Sequence, residues 1–245
     1  MNNRMQKCWL VGSMIALAGI SACNWEPARV SELSTDTQTV KVGQAKSVSV
    51  ELSMGAGEMR VKGGAKDLME GTFTYNVPAW KPKISYSESS ERGKLTIEQP
   101  GGAHRQGGDT KYSWDVQLNN KLPIEIHVSM GAGKSNFELG GLSLSKLHVE
   151  MGAGDSTVDL AGNWKHDVDA HIEGGVGRAT IKLPRGVGVR VTVEGGLGSV
   201  SAPDFKKQGD AYVNDEYEKS PVTVNVKVEG GIGKVILELS GGPTV

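Results

Sequence analysis

Cysteine is scarce in this chain: the 245 residues include two, Cys8 and Cys23, and both lie near the N-terminus. A disulfide framework, a cysteine-based metal cluster and a thiol nucleophile in a folded domain are therefore excluded. The formal net charge of −1 argues against a nucleic-acid partner recognised through bulk charge. Helical periodicity is absent from every segment longer than about ten residues. The sequence therefore predicts an all-β protein.

The N-terminus carries the pattern of an export signal. Arg4 and Lys7 precede an apolar stretch over residues 9–19, which is followed by Ile20-Ser21-Ala22-Cys23. The stretch is shorter than the roughly 20 residues that a bilayer span requires, which favours a cleaved signal over residues 1–22. Ile20-Ser21-Ala22-Cys23 resembles the lipobox of bacterial lipoproteins. An ordinary signal peptide that is cleaved elsewhere is the alternative.

The lipobox resemblance implies an acylated Cys23 as the first mature residue and a lipid anchor in a membrane. It also implies a place in the cell envelope, at the outer membrane or on the periplasmic side if the host is Gram-negative. Residues 24–42 are polar and have no packing pattern. We therefore predict a flexible tether over residues 23–44 between the lipid and the folded part.

Glycine is abundant, with 34 residues, and it is periodic rather than scattered. Successive copies of a glycine-rich step place Gly133, Gly154 and Gly177 at spacings of 21 and 23 residues. A period of this length between similar β units predicts a solenoid, in which each coil buries its apolar face by stacking on its neighbours. The copies are Ser53-Met54-Gly55-Ala56-Gly57, Ser129-Met130-Gly131-Ala132-Gly133, Glu150-Met151-Gly152-Ala153-Gly154, Glu173-Gly174-Gly175-Val176-Gly177, Glu194-Gly195-Gly196-Leu197-Gly198 and Glu229-Gly230-Gly231-Ile232-Gly233.

Apolar and polar residues alternate on both sides of each glycine step, as in Ile126-His127-Val128. Each coil is therefore predicted to consist of two half-buried strands that meet at a glycine corner. Solenoid repeats are expected over residues 126–245, and a β region with inserted strands over residues 45–125. The inserted strands are predicted at residues 68–77, 83–87, 94–99 and 111–118.

Residues 50–57, together with Glu70-Gly71-Thr72-Phe73-Thr74-Tyr75-Asn76 and Lys81-Pro82-Lys83-Ile84-Ser85-Tyr86, resemble the N-terminal domain of toast-rack proteins. The later Glu-Gly-Gly-x-Gly steps are similar to the C-terminal region of LiaF-like proteins and of adhesins with single-stranded β-helices. The resemblance implies a single-stranded β-solenoid. LiaF-like members imply envelope-stress sensing through protein contacts, although this chain lacks their membrane-spanning segments.

One motif imitates a nucleotide site. Gly131-Ala132-Gly133-Lys134-Ser135 matches the end of a phosphate-binding loop, but the required earlier glycine is replaced by Val128. A strand is expected after the motif where a phosphate site needs a helix N-terminus. We therefore expect no nucleotide and no nucleic acid. Because no nucleophile or acid/base constellation is recognisable either, we expect no enzyme activity and no cofactor.

Histidine and glutamate form the most specific candidate site. His127, His148 and His171 each lie four residues before an aligned glycine, and Glu150 and Glu173 lie two residues after the last two of them. Because stacked strands lie about 4.8 Å apart, these side chains should form parallel ladders on one outward face. Imidazole and carboxylate groups at that spacing suit Zn²⁺ or a similar ion. A solvated strand face without a metal is the alternative.

A loop over residues 204–221 interrupts the last repeats and carries Phe205, Tyr212 and Tyr217. Insertions in solenoids often lie on a working face, so the loop is a candidate for partner binding. The alternative is a cap that covers the exposed edge of the last coil.

Taken with the resemblances, these features predict a non-catalytic envelope lipoprotein that binds or scaffolds proteins, with stress sensing as an implied role. A surface adhesin or carbohydrate-binding module is the alternative, and a hydrolase is a more distant one. The partner would be an envelope protein or a glycan. A glycan platform would have to be built from Trp80, Trp114 and Trp164, so burial of all three would favour scaffolding.

Overall fold

A computed structural model describes residues 30–101, 109–196 and 198–241 of the chain. Cys23 and the predicted signal peptide lie outside these residues. Within the described ranges, no helix is long and apolar enough to cross a membrane. The described residues form one sheet of fourteen strands, which confirms the all-β prediction.

Along the described part of the chain, the strands are interrupted by one 3-10 turn, at Pro78–Trp80. They are β1 Ser34–Val40, β2 Ser47–Ala65, β3 Met69–Tyr75, β4 Lys83–Ser89, β5 Arg92–Glu98, β6 Tyr112–Asn119, β7 Ile124–Glu138, β8 Leu144–Asp159, β9 Val168–Pro184, β10 Gly188–Gly195, β11 Gly198–Ser201, β12 Lys206–Gln208, β13 Ala211–Val213 and β14 Thr223–Ser240.

Long bent strands replace the pairs of shorter strands that the sequence suggested. β2, β7, β8, β9 and β14 each run through a glycine corner without interruption, because pairing with the neighbouring coil continues on both sides of it. At the corners of β7, β8 and β9, Gly133, Gly154 and Gly177 have φ values of 131°, 132° and 141°. Residues that have a Cβ rarely adopt this backbone conformation, which explains why glycine recurs at the corners.

The coils stack as parallel strands in register, in the order β2, β7, β8, β9, β14, β10. Equivalent inward positions form continuous apolar rows, of which Val128, Val149 and Ile172 are one, with exposures of 0%, 1% and 3%. A one-residue shift in pairing would turn each such row toward water, so burial fixes the register. The stacked coils therefore share one core, as expected of a solenoid.

The order of the last coils differs from their order in the sequence. β14 lies between β9 and β10 and pairs in parallel with both, so the C-terminal strand is internal. The second half of β14 contains Val235-Ile236-Leu237, whereas the paired β11 reads Gly198-Ser199-Val200-Ser201. The more apolar strand takes the position with neighbours on both sides, because that position buries more surface.

Part of the predicted tether is ordered structure. Ser34–Val40 form β1, which pairs antiparallel with β3 at the edge of the sheet. The tether prediction was wrong here, because most side chains of β1 are exposed and leave no apolar alternation to detect. The Tyr75 hydroxyl donates a 2.5 Å hydrogen bond to Asp36 and, with Lys81 at 3.0 Å, holds the pKa of that carboxyl below its usual value.

The inserted strands β3, β4, β5 and β6 occur where the alternation predicted them. β5 pairs with the first half of β2 and β6 with its second half, so both cover the free side of the first long strand. Aromatic rings fill the core below them: Trp114 packs edge to face against Phe73 and Tyr112, with centroids 5.7 and 5.8 Å apart. These strands therefore close this end of the solenoid and extend its core.

Candidate functional site

The outward side of the strands before the glycine corners carries the predicted ladders. β7, β8 and β9 place His127 beside His148 and His148 beside His171, so the predicted alignment of the coils is confirmed. In the adjacent row, Glu150 lies beside Glu173. We call the surface formed by these two rows the His/Glu face.

β14 extends the His/Glu face in a way that the sequence order concealed. Lys227 lies beside His171, and Glu229 lies beside Glu173, with Glu194 of β10 one coil further. Lys227 was not among the predicted site residues. The signal was available, since Lys227 lies four residues before Gly231, at the offset that the histidines share.

Several donor atoms of the His/Glu face lie close together. The Nε2 atom of His148 lies 2.8 Å from Glu150 Oε1 and 3.7 Å from Glu173 Oε1. The Nδ1 atom of His171 lies 3.5 Å from the same Glu173 oxygen, and its Nε2 atom lies 3.6 Å from Glu229 Oε1. Glu173 is thus shared by two histidines.

The two pairs of neighbouring imidazoles differ in geometry. The rings of His127 and His148 are stacked, with centroids 4.7 Å apart and planes at 5°. The rings of His148 and His171 are nearly perpendicular, with centroids 5.0 Å apart and planes at 78°. Because nitrogen lone pairs lie in the ring plane, the perpendicular pair directs its donors toward a common region more readily than the stacked pair does.

The His/Glu face carries an excess of carboxylates at neutral pH. Among its described residues, Glu150, Glu173, Glu229 and Glu194 form one row. Lys227 contacts Glu229 and lies 3.3 Å from Glu194, so that hydrogen bonding raises the pKa of the lysine and lowers that of Glu229. Glu150 and Glu173 have histidine neighbours instead. The arrangement attracts cations, and its mixed nitrogen and oxygen donors suit a transition metal.

The predicted partner-binding loop forms a cap. β12 and β13 make a hairpin, and β13 pairs antiparallel with β10, which extends the sheet beyond the last coil. Phe205 and Tyr212 are partly buried against the core, and Tyr217 is half-buried. The hairpin therefore protects the edge of the last coil, as a solenoid end requires. Partner binding by these three aromatic residues stays a prediction.

One buried side chain ties the cap to the solenoid. Asn214, 4% exposed, accepts a 2.9 Å hydrogen bond from the Val189 amide and donates a 2.8 Å bond to the Val187 carbonyl. Both partners belong to the segment that leads into and begins β10. The cap is thus held by polar contacts as well as by apolar packing.

Asn214→Ala is expected to lower the free energy of unfolding by about 1–3 kcal/mol, because it leaves buried backbone groups without hydrogen bonds. Chemical denaturation would measure the change. Asn163→Ala is the matched control, since Asn163 is exposed and its change should stay within about 0.5 kcal/mol. Equal stability of the two variants would contradict the role of Asn214.

The three tryptophans considered for a glycan platform lie in the core. Trp80 and Trp114 are each 1% exposed and Trp164 is 5% exposed. Indole rings in these positions present no face to a sugar. Trp80 also packs edge to face against Tyr112, which fixes its ring in the core. The burial of the three tryptophans therefore favours a surface that binds through polar side chains.

The fold and this polar face define a capped, parallel β-solenoid, and comparisons with known proteins identify its family. The N-terminal domain of toast-rack proteins, DUF2154, is matched over residues 29–182, which is more than half of the chain. The chain belongs to the toast-rack family. No match to a curated protein was found.

Two solved structures are similar to the chain. One is a candidate cell adhesion protein from Clostridium sporogenes, which is 34% identical to this chain. The matched region covers 85% of this chain and 100% of the Clostridium chain, with a TM-score of 0.82. The other is a candidate adhesin from Bacteroides fragilis, which is 12% identical to this chain. The matched region covers 84% of this chain and 97% of the Bacteroides chain, with a TM-score of 0.32. The Clostridium structure therefore shares the whole solenoid architecture with this chain.

Proposed function

We propose that this protein is a non-catalytic binding module of the cell envelope, anchored by a lipid on Cys23, which contacts a protein partner in cell adhesion. The observation that carries the proposal is the similarity to the candidate cell adhesion protein, which spans that whole chain at 34% identity. The shared region includes the stacked coils and not merely one motif. A common architecture with a common contact role is the simplest account of that similarity.

The polar character of the solenoid supports a protein partner rather than a glycan. Sugar-binding surfaces rely on exposed aromatic rings, and Trp80, Trp114 and Trp164 are all buried. The outward rows instead carry charged and hydrogen-bonding side chains along a continuous sheet, as in Glu125, Lys146 and Asp169 on three adjacent coils. Extended faces of this kind are the surfaces through which solenoid proteins bind partners.

The lipid anchor determines where the module acts. Anchoring through Cys23 keeps the solenoid at a membrane surface, and residues 24–33 connect it to the first strand. Asn24 is not the aspartate that marks retention at the inner membrane, so in a Gram-negative host we place the protein at the outer membrane or on its periplasmic side. Stress sensing through the same protein contacts is the second role, supported by the LiaF-like character of the glycine steps.

Cys23→Ala is expected to abolish membrane anchoring, because it removes the acylation site, and to release or leave unprocessed an otherwise folded protein. Cell fractionation and intact-mass analysis would measure this. Cys8→Ala is the matched control: Cys8 lies within the signal, so its replacement should leave anchoring unchanged. A mature N-terminus other than residue 23 in the wild type would overturn the proposal of a lipid anchor.

The contact role needs a separate experiment. Cells that produce the wild-type protein should attach to protein-coated surfaces or to one another more than cells that lack it, and proximity labelling should recover an envelope or surface protein. Cells that produce Cys23→Ala should behave like the deletion. Attachment that is independent of the protein, with altered survival under envelope stress, would favour the sensing role over adhesion.

A further inference from the structure

We propose that His148, His171 and Glu173 form a binding site for a divalent transition metal such as Zn²⁺. Each of these residues offers one ligand atom, and the three atoms lie within 4.8 Å of one another. The site lies on the His/Glu face at the pairing of β8 with β9. It does not depend on the adhesion role, because a metal would bind here whatever partner the solenoid contacts.

The donor set selects the class of metal. Two imidazole nitrogens and one carboxylate oxygen are the ligands that Zn²⁺ and its neighbours take in proteins, whereas Ca²⁺ and Mg²⁺ prefer oxygen alone. Among the described residues no cysteine competes for this role, because Cys8 and Cys23 both lie outside them. The donor set therefore points to a divalent ion of intermediate softness, such as Zn²⁺, and these three residues fill three of its four coordination positions.

Two of the three ligand–ligand distances are close to those around a tetrahedral ion. With metal–ligand bonds of about 2.0–2.1 Å, neighbouring ligand atoms of a tetrahedral zinc site lie about 3.3 Å apart. Glu173 Oε1 lies 3.7 Å from His148 Nε2 and 3.5 Å from His171 Nδ1. Shifts of a few tenths of an ångström, within the freedom of half-exposed side chains, bring these edges to the required length.

Ring orientation separates this cluster from its neighbour. His127, His148 and Glu150 also lie within ligand distance of one another, but the planes of their two rings are parallel at 5°. Parallel stacked rings point their lone pairs side by side rather than toward one ion. The planes of His148 and His171 meet at 78°, which allows both nitrogens to face Glu173.

The second nitrogen of His171 lies near a carboxylate of β14. Metal-bound histidines usually donate their other N–H to a carboxylate or carbonyl, which fixes the ring and its tautomer. The Nε2 atom of His171 is buried and has no hydrogen-bond partner among the described residues, and Glu229 Oε1 lies 3.6 Å away. Lys227 contacts Glu229 and fixes its position. A small movement of either side chain completes this support when Nδ1 binds the ion.

Glu150 is a candidate for the fourth ligand, because its carboxylate already contacts His148. Its carboxylate lies 2.8 Å from His148 Nε2, so in the metal-free protein that nitrogen is hydrogen-bonded. Metal binding at Nε2 replaces this hydrogen bond, and the freed carboxylate is then next to the ion. Glu150 therefore serves as the fourth ligand, or leaves that position to water.

Calorimetric titration of the full-length protein, solubilised from membranes in detergent, with ZnCl₂ would test the site. The wild type is expected to bind Zn²⁺ with a dissociation constant in the micromolar range or tighter, and to bind Ca²⁺ and Mg²⁺ at least a hundredfold more weakly. His171→Ala and Glu173→Gln should each reduce zinc affinity at least tenfold. Glu229→Gln should reduce it by about 10–100-fold if the carboxylate supports His171 from outside the ligand set.

His127→Ala is the matched control, since it removes the stacked imidazole and should leave zinc affinity within about threefold of the wild type. Thermal unfolding without metal confirms that each variant is folded, and Zn²⁺ should raise the melting temperature of the wild type and of His127→Ala but not of His171→Ala. Absence of zinc binding, or loss of binding in His127→Ala with retention in His171→Ala, would overturn the proposal.

Discussion

Gly154→Val is expected to lower the free energy of unfolding strongly, because it places a β-branched residue at a glycine corner between stacked coils. Gly154 has a φ of 132°, a conformation that costs a β-branched residue about 1–3 kcal/mol. A Cβ at this position would also collide with the carbonyl oxygen of Gly133 in the neighbouring coil. Overpacking of this kind adds about 1–3 kcal/mol, because the stacked backbones must separate.

Gly174→Val is the control for that substitution. Gly174 also lies at a corner, but a Cβ built on it has no heavy atom within 4 Å apart from those of Gly174 and its two chain neighbours. Its partner in the previous coil is Met151, so a side chain is already accommodated at the equivalent position. We expect its free energy of unfolding to stay within about 0.5 kcal/mol of the wild type in chemical denaturation. If both valine variants unfold at the same denaturant concentration, the corner explanation fails.

Trp114→Ala is expected to lower the free energy of unfolding by about 3–5 kcal/mol, the usual effect of emptying a large aromatic site in a core. Trp114 is 1% exposed and packs edge to face against Phe73 and Tyr112. The inserted strands β3 and β6 meet through these rings. Loss of the Trp114 ring would weaken the packing between these strands.

Two further variants give the measurement its controls. Trp114→Phe should cost clearly less than Trp114→Ala, because the indole N–H has no hydrogen-bond partner among the described residues and a phenyl ring keeps most of the packing. Val200→Ala, at a position that is 37% exposed, should change stability by less than about 0.5 kcal/mol. A Trp114→Ala variant as stable as Val200→Ala would remove the argument that the tryptophans are structural.

The register of the coils was predictable because two independent patterns specify it. The spacing of Gly133, Gly154 and Gly177 aligns the corners, and the alternation on either side of each corner determines which residues face inward. A shift by one residue would expose an apolar row, so the alternatives are far less stable. The pairing of His127 with His148 and of His148 with His171 follows directly.

Two features of the fold could not be predicted from the sequence, for different reasons. The place of β14 between β9 and β10 depends on which coil buries more apolar surface, and repeat spacing contains no information on that comparison. Strand β1 is attached mainly through its backbone and exposes most of its side chains. A strand with a solvated pattern on both faces is indistinguishable from a polar linker when only alternation is considered.

The candidate site was predicted as rows of residues but not as a particular cluster. Backbone periodicity places His148, His171 and Glu173 on one face, whereas the angle between the imidazole planes depends on side-chain rotation. Rotation is determined by neighbours such as Glu229, whose position beside Glu173 required the true order of the coils. The proposed ligand set could therefore be specified only from the structure.

The internal position of β14 also constrains the order in which the chain can fold as it is synthesised. Synthesis produces the N-terminal coils first, and β10 and its cap hairpin precede every residue of β14. Until β14 arrives, β9 presents an unpaired parallel edge and β10 lacks its neighbour. The coils therefore cannot be completed one by one in the order of synthesis, and the last strand completes the stack between β9 and β10.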